Sequence, residues 1–80
     1  MTTELSDTDK RLEAIALKIK QLRKSSGCKS YETFALDNDL DRKQYWRVEK
    51  GSNITVATLI KVLDIHKISL RDFFDDDCFL

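Results

Sequence analysis

Ser30 to Gly51 reads SYETFALDNDLDRKQYWRVEKG, and the fold turns on how that stretch divides. Ser30 suits a helix cap, because its hydroxyl accepts from first-turn amides that have no partner inside the helix. Phe34 and Ala35 follow as an inward pair. Asn38-Asp39 then interrupts the pattern with two residue types that tolerate left-handed backbone. Asp41 offers a second cap, Tyr45 and Val48 stand three apart on one face, and Gly51 supplies a stop. The spacing predicts two short helices joined by two or three residues.

The flanks extend the same grammar. Ser6 or Thr8 is placed to cap a first helix ending near Ser26, with Gly27 as its stop. Leu12, Ile15, Ile19 and Leu22 step along it by three, four and three, which is one apolar stripe. Thr55 caps a fourth helix in which Leu59, Val62, Leu63 and His66 share a face. Ser69 caps a fifth, with Leu70, Phe73 and Phe74 expected inward. The expected architecture is all-α, a compact five-helix bundle. Residues 1–9 are assigned to a flexible N-terminal segment or the start of the first helix, 10–75 to one domain, and 76–80 to a tail.

Composition narrows the class. Eighty residues with no proline and two glycines fit one small helical core. Cys28, Cys78 and a lone His66 are too few ligands for a structural zinc site, so no metal or cofactor is expected. Both cysteines read as inert thiols of a cytoplasmic protein, since nothing at the N-terminus resembles a signal peptide. No apolar run reaches the ~18 residues a spanning helix needs. No nucleophile–base set or phosphate-binding glycine loop is present, which argues against an enzyme. The formal net charge is zero, yet residues 10–31 carry +6 and residues 42–51 carry +3, against −4 over 32–41. Local patches matter more than totals, because screening confines each charge to ~8–10 Å.

A capped short helix, a tight turn and a second capped helix that opens Arg42-Lys43-Gln44 describe a helix-turn-helix at helices 2 and 3. The major groove, ~12 Å wide, admits one α-helix, and side chains near that helix's N-terminus reach the base edges. Arg42 and Lys43 suit the acceptors of guanine, Arg47 projects from the same face one turn after Lys43, and Gln44 suits adenine. Lys29 and Lys50 are candidate phosphate anchors. Trp46, one position round from Tyr45, is expected at the border of core and groove, half-exposed and packed on the stem of Arg42.

From Ser30 to Gly51 the chain resembles the XRE-type, phage-repressor-like helix-turn-helix family. The residues that carry this are Ser30, Phe34-Ala35, Asn38-Asp39-Leu40, Asp41, Arg42, Arg47 and Val48-Glu49-Lys50-Gly51. Ile19 to Arg23 is similar to that family's first-helix motif, and Thr55 through Phe74 to its last two helices. The resemblance implies a homodimeric transcriptional regulator that binds a palindromic or near-palindromic double-stranded DNA site. It places base reading on Arg42, Lys43 and Arg47, a phosphate clamp on Tyr31 beside Ser30, and backbone amides for phosphate at Ser52-Asn53. It also implies an ion pair between Arg23 and Glu49 that ties the first helix to the recognition helix. Phe74, Phe79 and Leu80 are candidate dimer contacts. The sequence departs from the family pattern at Asp39 and Lys67, where glycine is usual, and at His66, where leucine is usual. Asp37 and Asp39 put negative charge near the expected DNA face. The competing reading is a protein-binding module on the same fold, such as an antitoxin or adaptor, with a protein as its partner.

Overall fold

The structure is a computed structural model that describes residues 6–76 and 79. Leu80, a candidate dimer contact, the Cys78 thiol and residues 1–5 of the N-terminal segment lie outside the described residues. Among the described residues five helices follow one another: α1 (Asp7–Ser25), α2 (Tyr31–Asp37), α3 (Arg42–Glu49), α4 (Val56–Ile65) and α5 (Leu70–Phe74). The described residues contain no strand, as expected of an all-α bundle.

Every helix begins on a side-chain cap. Ser6, Ser30, Asp41, Thr55 and Ser69 each accept from the amide three residues on. Each such cap stabilises its helix by about 1 kcal/mol, a large share of the stability available to helices this short.

The ends of the first four helices are just as uniform. In α1, Gly27 donates to the Lys24 carbonyl and Cys28 to that of Arg23, and Gly27 sits at φ +92°. In α2, Asp39 donates to Leu36 and Leu40 to Ala35, with Asp39 at φ 60°. In α4, Lys67 donates to Asp64 and Ile68 to Leu63, with Lys67 at φ 56°. These are Schellman closures, which satisfy carbonyls that the helix leaves open. In α3, Gly51 is at φ +85° and Ser52 donates to the Arg47 carbonyl. Gly51 also lies against α1, for a Cβ there would be 3.5 Å from Cγ of Glu13.

The core is one cluster drawn from all five helices. Ile19, Phe34, Ala35, Tyr45, Val48, Leu59, Val62, Leu63 and Phe73 form its centre. Each large apolar side chain buried there contributes about 1.5–3 kcal/mol of transfer free energy. Phe34 lies between two rings, with Tyr45 at 5.0 Å and His66 stacked at 5.2 Å. Phe73, Phe74 and Phe79 form a second aromatic group. Lys18 of α1 joins it, donating to the Phe73 carbonyl and pairing with Asp76 at 3.1 Å while its ammonium faces the rings of Phe73 and Phe79.

Two expectations need correction. Leu70 is exposed, and α5 buries Phe73 with Phe74 half-buried beside it. A helix of five residues has one inward position, and here the aromatic trio fills the contact. His66, placed by its spacing on the inward face of the fourth helix, would be expected to be a partly buried, hydrogen-bonded histidine, but its Nε2 is buried without a partner among the described residues. What holds the ring is its stacking on Phe34.

Candidate nucleic-acid interface

α3 is divided sharply between two faces. Tyr45 and Val48 are buried, while Arg42, Lys43, Gln44, Trp46 and Arg47 are exposed. The division follows from the sequence, because residues three apart share a face and the apolar pair fixes which face turns inward. Asp41 starts the helix by accepting from the Gln44 amide at 2.9 Å, so Arg42 and Lys43 are held in its first turn.

The other end of α3 is anchored by charge. Arg23 reaches from α1 and donates to Glu49 through Nε at 2.7 Å and Nη2 at 3.0 Å, and its Nη1 donates to the Cys28 carbonyl at 2.9 Å. The side chains are only 4% and 8% exposed. Hydrogen bonding to Glu49 raises the guanidinium pKa above its ordinary value, against the opposing effect of burial. Burial, followed by the neighbouring Glu49 carboxylate, likewise pushes the Tyr45 phenol well up. The Tyr45 hydroxyl is close enough to feel that carboxylate, yet among the described residues no acceptor meets it in hydrogen-bond geometry. Burial lowers the His66 pKa, and the Glu49 charge partly offsets this. One carboxylate at the end of α3 therefore acts on Arg23 of α1, Tyr45 of α3 and His66, which follows α4.

The exposed face is not uniform. The side chains of Lys43 and Arg47 make no hydrogen bond or ion pair among the described residues. Arg42 does, with Nη1 3.4 Å from the Glu32 carboxylate on α2. Trp46 is 42% exposed, and its indole carries the Lys50 ammonium 5.3 Å from the ring centroid. Trp46 lines one open cleft with Tyr31, Glu32, Arg42 and Lys43, so it adjoins Arg42, but its ring partner is Lys50. An i, i+4 step places the lysine one turn beyond, directly along the helix.

Gln44 turns the other way. Its amide nitrogen lies 3.4 Å from the Thr58 hydroxyl, at the start of α4. With Arg47, Ser52, Asn53 and Thr55 it lines a second shallow groove. The Ser52 amide, expected to be offered outward, is already bonded to the Arg47 carbonyl at 3.3 Å, and both Ser52 and Asn53 remain exposed. Near the head of α2, Lys29 is exposed, Ser30 caps the helix through the Thr33 amide at 3.3 Å, and Tyr31 is half-buried against the core. Cys28 is half-buried, and its thiol donates to the Ser30 carbonyl at 3.3 Å.

Phe74 and Phe79 are both engaged within the chain, their rings 4.9 Å apart. Among the described residues there is no cluster of side chains fit to hold a metal ion, and no helix long and apolar enough to cross a membrane. The residue that sequence reasoning missed is Glu32. Its acidic side chain in the first turn of α2 was visible, but its proximity to Arg42 depends on how α2 crosses α3.

Over 60 residues the chain is 38% identical to Control protein C.MunI of Mycoplasma sp, a match spanning 74% of this chain and 81% of that protein. That relative is a control protein and not an enzyme, in keeping with the reading of the sequence. No family model and no solved structure matches the chain.

Proposed function

The chain belongs to the helix-turn-helix regulator family that includes this control protein, and we propose that it is a sequence-specific, double-stranded DNA-binding transcriptional regulator. α3 enters the major groove, with Arg42, Lys43 and Arg47 directed at base edges. Lys29, Ser30, Tyr31, Lys50 and the Ser52-Asn53 loop hold the flanking phosphates, and Trp46 lies against a sugar-phosphate strand beside Lys50. Gln44, turned toward Thr58, reads a base only after leaving that contact. The protein acts as a homodimer on a palindromic site, whose half-sites fall about one helical turn, ~34 Å, apart.

The observation that carries this reading is the pairing of opposites on α3. Cationic side chains project from one face, and the other is buried and clamped through Glu49 to α1. A recognition helix must be rigid on one side and unencumbered on the other, and Lys43 and Arg47 are unencumbered. A protein-binding role draws support from a different place, Leu36, which is 80% exposed on α2.

Selection from a pool of random duplexes separates the two. The regulator reading expects one enriched, symmetric site and an affinity that falls steeply with salt. Arg47→Ala is expected to lose ~1–3 kcal/mol of discrimination at a single base position. A pool that shows no enrichment, together with capture of a protein partner abolished by Leu36→Glu, would replace this reading with the protein-binding one.

A further inference from the structure

We propose that Glu32 is a specificity-determining residue of the DNA interface, acting through Arg42 as a positioning residue; this rests on the regulator reading above. Glu32 lies in the first turn of α2 and Arg42 is the first residue of α3. Their side chains meet across the helix-turn-helix at 3.4 Å, while remaining 55% and 65% exposed. An exposed pair of this kind contributes little to folding. Its effect lies in what it does to the guanidinium. Arg42 has five N–H donors in a planar fork, and Glu32 engages the Nη1 end. The remaining edge is left for the paired acceptors of a guanine, and the bond restricts the rotation of a long side chain before any DNA arrives.

The carboxylate has a second consequence. It shares one open cleft with Tyr31, Arg42, Lys43 and Trp46, the surface that faces the phosphates in the proposed complex. An arginine free to swing binds any phosphate it meets, and phosphate contacts carry no sequence information. Glu32 opposes that use twice, by holding the guanidinium and by repelling the backbone. As the groove excludes water, the pair strengthens, because charges interact more strongly where the local dielectric is low. Glu32 thus lowers affinity for DNA in general and raises the ratio between the chosen site and all others.

The test uses the full chain, its selected duplex, a scrambled duplex and single-base variants of the selected site. Glu32→Gln keeps size and an acceptor but removes the charge. It is expected to bind the scrambled duplex more tightly and to steepen the salt dependence by up to ~0.9 in log–log slope, the value of one phosphate contact. Discrimination at one base position should fall about five- to tenfold, the lower part of what a bidentate contact is worth. Both side chains are exposed, so the melting temperature should not move. In an Arg42→Ala background the same substitution should still tighten scrambled binding but no longer change base discrimination. Wild-type discrimination in Glu32→Gln, or an equal loss with and without Arg42, overturns the inference and leaves the regulator reading standing. A wild-type chain that prefers no site overturns both.

Discussion

At the C-terminal end of α3, Glu49 meets Arg23 through two bonds of 2.7 and 3.0 Å, whereas at its N-terminal end Arg42 meets Glu32 through one contact of 3.4 Å. The first pair is sealed from water and the second stands in it. The same chemistry therefore serves two purposes. A buried pair must be complete, because a charge left alone inside has lost its hydration and gained nothing. An exposed pair contributes little to folding, so it can orient a side chain without being needed to hold the fold. The contrast teaches that one end of α3 is fixed to the protein by a buried pair, while the pair at its other end stands in solvent and bears little on the fold.

Three substitutions test that contrast, in order of expected effect. Glu49→Ala strands the Arg23 guanidinium and should cost about 3–5 kcal/mol, read from the shift in urea midpoint at constant slope. Much of a domain this small would then be unfolded at room temperature. A loss under about 1 kcal/mol would show that water reaches Arg23 and would end the distinction between the two pairs.

His66 probes the cost of burying a titratable ring, which the Glu49 charge offsets only in part. Its native pKa is lowered from 6.5, so below that value the unfolded chain binds the proton more readily than the native one. Stability is therefore fully present above pH 6.5 and declines as the pH falls toward the native pKa. His66→Leu should flatten this decline, and it also removes a buried nitrogen that has no partner among the described residues. Unfolding free energies measured across that range that fall equally steeply in the variant would remove His66 from the account.

Arg42→Ala should change folding stability least, by about 0–1 kcal/mol. If it matched Glu49→Ala instead, the outer pair would be structural and its proposed role in recognition would fall.

What could be read from the sequence was whatever acts over a turn or two of helix. The caps at Ser30, Asp41, Thr55 and Ser69 are set by contacts spanning three residues, so spacing is enough to find them. The burial of Tyr45 and Val48 opposite the basic side chains follows from periodicity in the same way. Long-range pairs were out of reach. Lys18 finds Asp76 from 58 positions away, and nothing in either neighbourhood announces the other. Glu32 was equally silent, since its bond to Arg42 is made by the crossing of two helices. Arg23 and Glu49 entered only through likeness to a family. Leu70 was misread because a five-residue helix offers too short a pattern to phase.

The helix ends have one further consequence, and it lies in the chain before it folds. Four left-handed corners close α1 to α4, and only two are glycines; Asp39 and Lys67 occupy the others. In the native state each non-glycine corner is strained by about 1–2 kcal/mol. Each also stiffens the disordered chain, which loses correspondingly less entropy when the corner forms, an effect of about 0.4–1 kcal/mol. The strain is the larger of the two, and the stiffening offsets only part of it. A sequence with no proline to restrict its unfolded ensemble thereby gains restriction at two turns, and departs from the glycines usual there at a small net cost.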